Sequence, residues 1–246
     1  MITALLFDFG GTLDGPTHWL DRFLDRYLAA GIEISREELD PAFDHANRAG
    51  YRAGKVMQRF GLNELVRFLV GNQFEYLRKE GSGRIRAMLE TAGAQGRYRT
   101  VEEITAAFAS DTGAGLAHSR GVLEDLKARY RLGVVSNFYG NLDRILAEAR
   151  LDKLFDAMID SSRIGIFKPE PGIFAAALKA LKVAPSGAAM VGDSIEKDCA
   201  PAHRLGLKTV WYRPSDQFDR GAMAPKADAR VDYTIHALGE LKSIKW

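Results

Sequence analysis

Ala4-Leu5-Leu6-Phe7-Asp8-Phe9-Gly10-Gly11-Thr12-Leu13-Asp14 is the stretch that decides the fold. Its first four residues form a short apolar run of the kind that makes a buried strand, and two adjacent glycines stop it abruptly. Asp8 is therefore expected at the carboxyl end of a strand, on a turn tight enough to present its carboxylate. In open α/β sheets, ligands bind at that edge. An acid held there can be a metal ligand, a nucleophile or simply a turn former.

Three other strand ends bear on the choice. Leu132-Gly133-Val134-Val135 runs into Ser136-Asn137. Lys168-Pro169 follows the strand-like Ala157-Met158-Ile159 after a short loop, and Ala188-Ala189-Met190-Val191 runs into Gly192-Asp193-Ser194-Ile195-Glu196-Lys197-Asp198. The chain thus offers an acid, a hydroxyl, a lysine and a pair of acids in order. Taken singly, each has an ordinary reading. Lys168 could be solvated, Ser136-Asn137 a plain turn, Asp193 a helix cap and Asp198 an exposed helical acid.

Between these regions the pattern is helical for about a hundred residues. Trp19, Leu20, Phe23, Leu24, Tyr27 and Leu28 recur at helical spacing, and a second amphipathic run covers Leu62 to Leu77. Ser35 with Glu38, and Thr100 with Glu103, have the spacing of capping boxes. Gly81-Ser82-Gly83 separates a further helix around Ile85 to Leu89. From about residue 115 strands alternate with helices at Val122–Ala128, Leu142–Ala149, Ile173–Leu181, Cys199–Leu205 and Ala237–Ile244. Thr209-Val210-Trp211 and Tyr233-Thr234-Ile235 read as the last strands, and residues 213–230 as a long surface loop. Such alternation implies βαβ units, a parallel sheet and helices on both faces. A lone strand at residues 4–8 cannot bury both faces, so it must join the later sheet. The expected fold is a Rossmann-like α/β core of residues 1–14 plus 115–246, with residues 15–114 inserted as an all-helical unit.

The ordered set of strand ends resembles the haloacid dehalogenase-like superfamily of phosphohydrolases, which carry four such motifs at the carboxyl edge of a parallel sheet. The inserted unit resembles the cap of those enzymes in size and helical character. The resemblance implies a hydrolase in which Asp8 is the nucleophile and forms an aspartyl-phosphate. It implies Mg²⁺ held by Asp8, Asp193 and the main-chain carbonyl of Gly10. It places phosphate oxygens against Gly11, Thr12, Ser136, Asn137 and Lys168, with Lys168 as the fixed positive charge. Asp198 would orient Lys168 or a metal-bound water.

One position departs from that pattern. Most phosphatases of the superfamily carry a second Asp two residues after the nucleophile, as general acid and base, and here the residue is Gly10. Turnover of substrates with poor leaving groups is therefore expected to suffer. Asp14, His18 and His45 could substitute by residue type. A phosphate- or metabolite-binding protein with little turnover is the alternative. Two sibling chemistries also lack the second Asp. Phosphonoacetaldehyde hydrolases use a cap lysine, for which Lys55 is the candidate. The 2-haloacid dehalogenases need no metal and are expected to place a tyrosine where this chain has Phe174.

Composition narrows the partners. With 246 residues and 46% hydrophobic content, the chain can bury a sizeable core. Lys plus Arg number 34 against 32 Asp plus Glu, a formal charge of +2 that gives no reason to invoke nucleic acid or an anionic membrane. A small phosphorylated metabolite is the expected ligand, with monomer or homodimer left open. Arg48, Arg52, Lys55 and Arg59 could reach a second anionic group or form a solvated face. No apolar run spans a bilayer, Met1-Ile2-Thr3-Ala4 lacks the features of a secretory signal, and there is one cysteine. A cytoplasmic location is expected, with Cys199 a small buried side chain.

Overall fold

The computed structural model describes residues 1–214 and 228–246. Most of the segment expected as a long surface loop, residues 215–227, lies outside the described residues. The chain divides into two compact units, one of Met1–Thr17 with Gly113–Trp246 and one of His18–Thr112.

The first unit is built on six strands, β1 (Ala4–Phe7), β2 (Arg131–Ser136), β3 (Ala157–Asp160), β4 (Ala188–Gly192), β5 (Lys208–Tyr212) and β6 (Tyr233–Ile235). They form one sheet in the order β3-β2-β1-β4-β5-β6, and every pairing is parallel. All four residues of β1 are fully buried, as are Leu132, Val134 and Val135 on β2. Both faces are therefore covered, which explains why these strands are continuous apolar runs instead of alternating ones. Ala4 and Leu6 join one core cluster with Ile173, Phe174, Ala177 and Met190, while Leu5 and Phe7 project to the opposite face.

The second unit is helical. It holds α1 (Trp19–Ala29), α2 (Arg36–Ala53), α3 (Leu62–Glu80), α4 (Gly83–Thr91) and the first part of α5 (Gly93–Lys127). Phe23 and Phe108 stack at 4.1 Å, Trp19 meets Phe108 edge-on at 5.1 Å, and the Arg22 guanidinium lies 4.2 Å over the Phe108 ring. The capping box of Ser35 and Glu38 opens α2, and Ser82 caps α4. Arg48 and Arg52 lie exposed near the end of α2. Gly54, at φ 53°, breaks the helix, so Lys55 and Arg59 belong to a separate 3₁₀ turn.

Two helical expectations are corrected. Thr100 caps nothing, because α5 is already continuous from Gly93, and its hydroxyl donates to the carbonyl of Gly96 one turn back. The expected terminal helix at Ala237–Ile244 is a 3₁₀ segment, Leu238–Ser243, too short for α geometry to gain by propagation. The remaining helices of the first unit are α6 (Leu142–Glu148), α7 (Ser161–Ile164), α8 (Pro171–Leu181) and α9 (Ala200–Arg204), and the segment Ile195–Cys199 before α9 is a π-type turn.

Candidate active site

Strand order fixes where a ligand can enter. The chain lays β2 and β3 on one side of β1 and β4 to β6 on the other, so the connections diverge between β1 and β4. Loops leaving the carboxyl ends of two such strands part from each other and open a crevice. Asp8 follows β1 directly and Asp193 follows β4 directly, and the Asp8 N–H still donates to the Val191 carbonyl at 2.9 Å. Each acid precedes a wide turn closed by an i→i+5 bond, Asp14 N–H to Phe9 O and Cys199 N–H to Ser194 O, both 3.2 Å.

Four of the expected residues converge there. Lys168 Nζ lies 2.7 Å from Asp8 Oδ1 and 2.7 Å from Asp198 Oδ1, with side-chain exposures of 2%, 12% and 0%. Carboxylate oxygens of Asp8, Asp193 and Asp198 lie within 4.8 Å of one another. Asp198 Oδ2 also accepts the N–H of Ser194 at 3.1 Å. The ordinary readings of these residues fail on burial and bonding. Lys168 is not a solvated lysine, Asp198 is not an exposed helical acid, and the cap ascribed to Asp193 is Ser194, whose hydroxyl accepts from Lys197 N–H at 3.1 Å.

The electrostatics follow from three acids facing one ammonium. Burial pushes the Asp193 carboxyl well above its ordinary range, and the charges on Asp8 and Asp198 add to that shift. Burial also raises Asp198, with Lys168 pulling it back. For Lys168 burial acts downward, yet Asp198 and Asp8 outweigh it and hold the ammonium above its usual pKa. A buried site with an excess of carboxylate oxygens suits a hard divalent cation such as Mg²⁺, so the donor set fits the ion the resemblance implies.

Two adjacent glycines in the β1 turn have different reasons to be there. Gly11 sits at φ 77°, and a Cβ on it would overlap Asp193 Oδ2. Gly10 has φ −72° and ψ 126°, an extended conformation open to any residue. Gly11→Ala is expected to lose roughly 1–2 kcal/mol from backbone handedness alone. Gly10→Ala is expected to be neutral or to gain about 0.4–1 kcal/mol. Urea unfolding of the two variants checks the opposite signs.

The other expected phosphate ligands are placed as follows. Thr12 is buried, and its Oγ1 has no hydrogen-bonding partner among the described residues. Ser136 ends β2 and is 3% exposed. Asn137 does something its sequence did not suggest, since its side chain brackets the main chain of Lys168. Nδ2 donates to the Lys168 carbonyl at 2.9 Å and Oδ1 accepts the Lys168 N–H at 2.7 Å. Asp160 was also missed. Its carboxylate accepts N–H groups of Gly140, Leu142 and Ser162 at 2.8, 3.2 and 3.0 Å, pinning the loop after Ser136. The signal was present: an acid ending an apolar strand, as at Asp8.

The three residues named as substitutes for a general acid have the following surroundings within their own units. Asp14 is fully buried and accepts the Gly11 N–H at 2.9 Å. Within the helical unit His18 caps α1 through Leu20 N–H, and His45 lies against Tyr76 at 5.2 Å. Phe174 is a fully buried core residue of α8, and Cys199 is buried.

The sequence model of the haloacid dehalogenase-like hydrolases matches residues 2–206. The chain belongs to that family. Among relatives of this haloacid dehalogenase-like hydrolase, a ribulose-1,5-bisphosphate 5-phosphatase of Halopiger xanaduensis is 32% identical over 133 residues, 51% of this chain and 54% of that protein. The chain spans about half or less of the length of the curated phosphatases it matches above 30% identity. A glyceraldehyde 3-phosphate phosphatase of Methanocaldococcus jannaschii is 26% identical over 250 residues, covering 99% of this chain and 97% of its own. In fold, the chain is similar to the magnesium-bound HAD-hydrolase YfnB of Bacillus subtilis. The TM-score is 0.57 and the identity 19%, over 98% of this chain and 97% of that one.

Proposed function

We propose that this protein is a Mg²⁺-dependent phosphohydrolase for a small phosphorylated metabolite, working through an aspartyl-phosphate at Asp8. The observation that carries this reading is the buried contact of Lys168 with Asp8 and Asp198 at the β1/β4 crevice. The names of several relatives, phosphatases of a sugar bisphosphate, a triose phosphate and phosphoserine, point the same way.

The residues divide the work. Asp8 Oδ1 is held by Lys168 and by the Phe9 N–H at 2.7 Å, which orients the carboxylate for attack on phosphorus. Lys168 has three N–H bonds and the two carboxylates engage two, so one remains to meet a phosphate oxygen. The unpartnered Thr12 hydroxyl supplies another contact, as do Ser136 and the Gly11 main chain. Asp8, Asp193 and the Gly10 carbonyl would hold Mg²⁺, whose positive charge offsets the repulsion between anionic nucleophile and anionic phosphate. Asp198 fixes Lys168. As the new Asp8–phosphorus bond forms, the ester oxygen leaves with the electron pair and takes a proton. Water then attacks phosphorus, releasing inorganic phosphate and regenerating the carboxylate. The helical unit, inserted directly after the Asp8 turn, is assigned the role of a cap that selects the substrate.

Gly10 makes the proton the weak point. Positioned general acid–base groups contribute about 10²–10⁴ in rate. With Mg²⁺, turnover of p-nitrophenyl phosphate or an acyl phosphate is expected to exceed that of a sugar phosphate by a similar factor. Phosphoenzyme should accumulate as added mass on Asp8. Gly10→Asp should raise sugar-phosphate turnover. Equal wild-type rates on both substrate types would show that another residue supplies the proton. The missing side chain also favours a second reading, a metabolite-binding protein with little turnover. That reading wins if wild type and Asp8→Asn are equally inactive on the whole ester panel yet still bind phosphate.

A further inference from the structure

The carboxylate of Asp193 clusters with those of Asp8 and Asp198, one oxygen of each lying within 4.8 Å of the others. Its main chain has an anchor outside that cluster. The indole Nε1–H of Trp211 donates to the main-chain carbonyl of Asp193 at 2.9 Å.

The geometry of that contact is set by the sheet. Gly192 of β4 pairs in parallel register with Trp211 of β5, so the ring stands beside the residue that follows Gly192. The ring is in turn held by Arg213, whose guanidinium lies 5.2 Å over it, and the Arg213 carbonyl meets His236 Nδ1 at 2.6 Å. A half-buried indole could be no more than packing. Its polar atom, however, is directed at the main-chain carbonyl of a proposed metal ligand. The other two tryptophans sit elsewhere, Trp19 against Phe23 and Phe108, and Trp246 Nε1–H on the Tyr130 hydroxyl at 3.0 Å.

We infer that Trp211 is a positioning residue for the metal, holding the Asp193 loop in its ligating place through the indole N–H. This rests on the metal site proposed above. A group that orients a ligand typically changes metal affinity by about 10–100-fold when removed. The indole is also close enough to the loop to register ion binding in its emission.

The test is Mg²⁺ titration followed by calorimetry and by tryptophan fluorescence. Trp211→Phe keeps an aromatic ring and deletes the N–H. It should weaken Mg²⁺ binding about 10-fold and leave the melting temperature in EDTA near that of wild type. Unchanged Mg²⁺ affinity in this variant overturns the inference. In a Trp19→Phe/Trp246→Phe protein, where Trp211 is the sole indole, emission should change with Mg²⁺ at the calorimetric midpoint. Calorimetric binding without any change in that emission overturns it too, whether or not Trp211→Phe folds. No saturable Mg²⁺ binding by wild type is a different failure: it removes the metal site itself, and the inference falls with it.

Discussion

Lys168→Met is expected to destabilise the protein by about 3–5 kcal/mol, the usual result of removing one partner from a buried charge pair. The reason lies in what remains. Lys168 is the ammonium that contacts both Asp8 and Asp198. With it gone, three carboxylates within 4.8 Å of one another are left to repel or to take up protons in a largely buried site. Methionine fills most of the volume, so the loss is electrostatic and not a cavity effect. Urea unfolding in EDTA measures it. A loss below about 1 kcal/mol, the range of exposed ion pairs, would mean that the contacts are not coupled as described. Added Mg²⁺ should stabilise this variant more than wild type, because cation binding then relieves a larger charge excess. Activity should be lost with or without that rescue, since the ion does not replace the N–H donors.

The sequence carried this site unevenly. Asp8 and Asp193 were legible because each ends an apolar run, and the chain's own pattern shows where strands stop. Parallel pairing then brings strand ends together whatever their separation in sequence, so convergence followed once the sheet was inferred. What the sequence did not carry is which side chain meets which. A separation of 30 positions between Lys168 and Asp198 says nothing about a 2.7 Å contact. Asn137 could be read as a turn residue or a phosphate ligand, and its bracket on the Lys168 main chain exists only once the loop after β2 lies beside Lys168. Trp211 read as a strand residue and no more, because the use of its N–H depends on the register of β5 against β4.

The failures are local for the same reason. Thr100 and Glu103 satisfy a capping pattern, but the break in the chain comes earlier, at Gly93 with φ 64°. Once α5 has started, each further residue adds a hydrogen bond at little cost, and a weak start signal inside it is overridden. Gly10 and Gly11 look alike on paper. Their dihedral angles separate them: the fold requires glycine at 11, whereas at 10 the backbone would accept a side chain. Backbone dihedrals alone do not demand glycine at position 10, so the proposed effect of a missing acid there is sought in leaving-group dependence.

Asp8→Asn should separate stability from function at this site. In the nucleophilic role proposed for it, Asp8 cannot be replaced by an amide, and turnover is expected to fall on the order of 10⁴–10⁶-fold, the scale seen when such a group is removed. The folded protein should respond in the other direction. Lys168 keeps its 2.7 Å contact with Asp198, and an asparagine oxygen can still accept from Lys168 and from the Phe9 N–H. What disappears is the charge that repels both Asp193 and Asp198. Stability in EDTA should therefore rise by about 0.5–2 kcal/mol, the size of gain found when a site strained for function is relaxed. Mg²⁺ should stabilise this variant less than wild type, having lost a ligand. Thermal melts with EDTA and with Mg²⁺, alongside phosphate release, read all three quantities. Were the variant less stable than wild type in EDTA, the attraction between Asp8 and Lys168 would outweigh the repulsion among the acids. The charge excess at this crevice would then not be what draws in a cation.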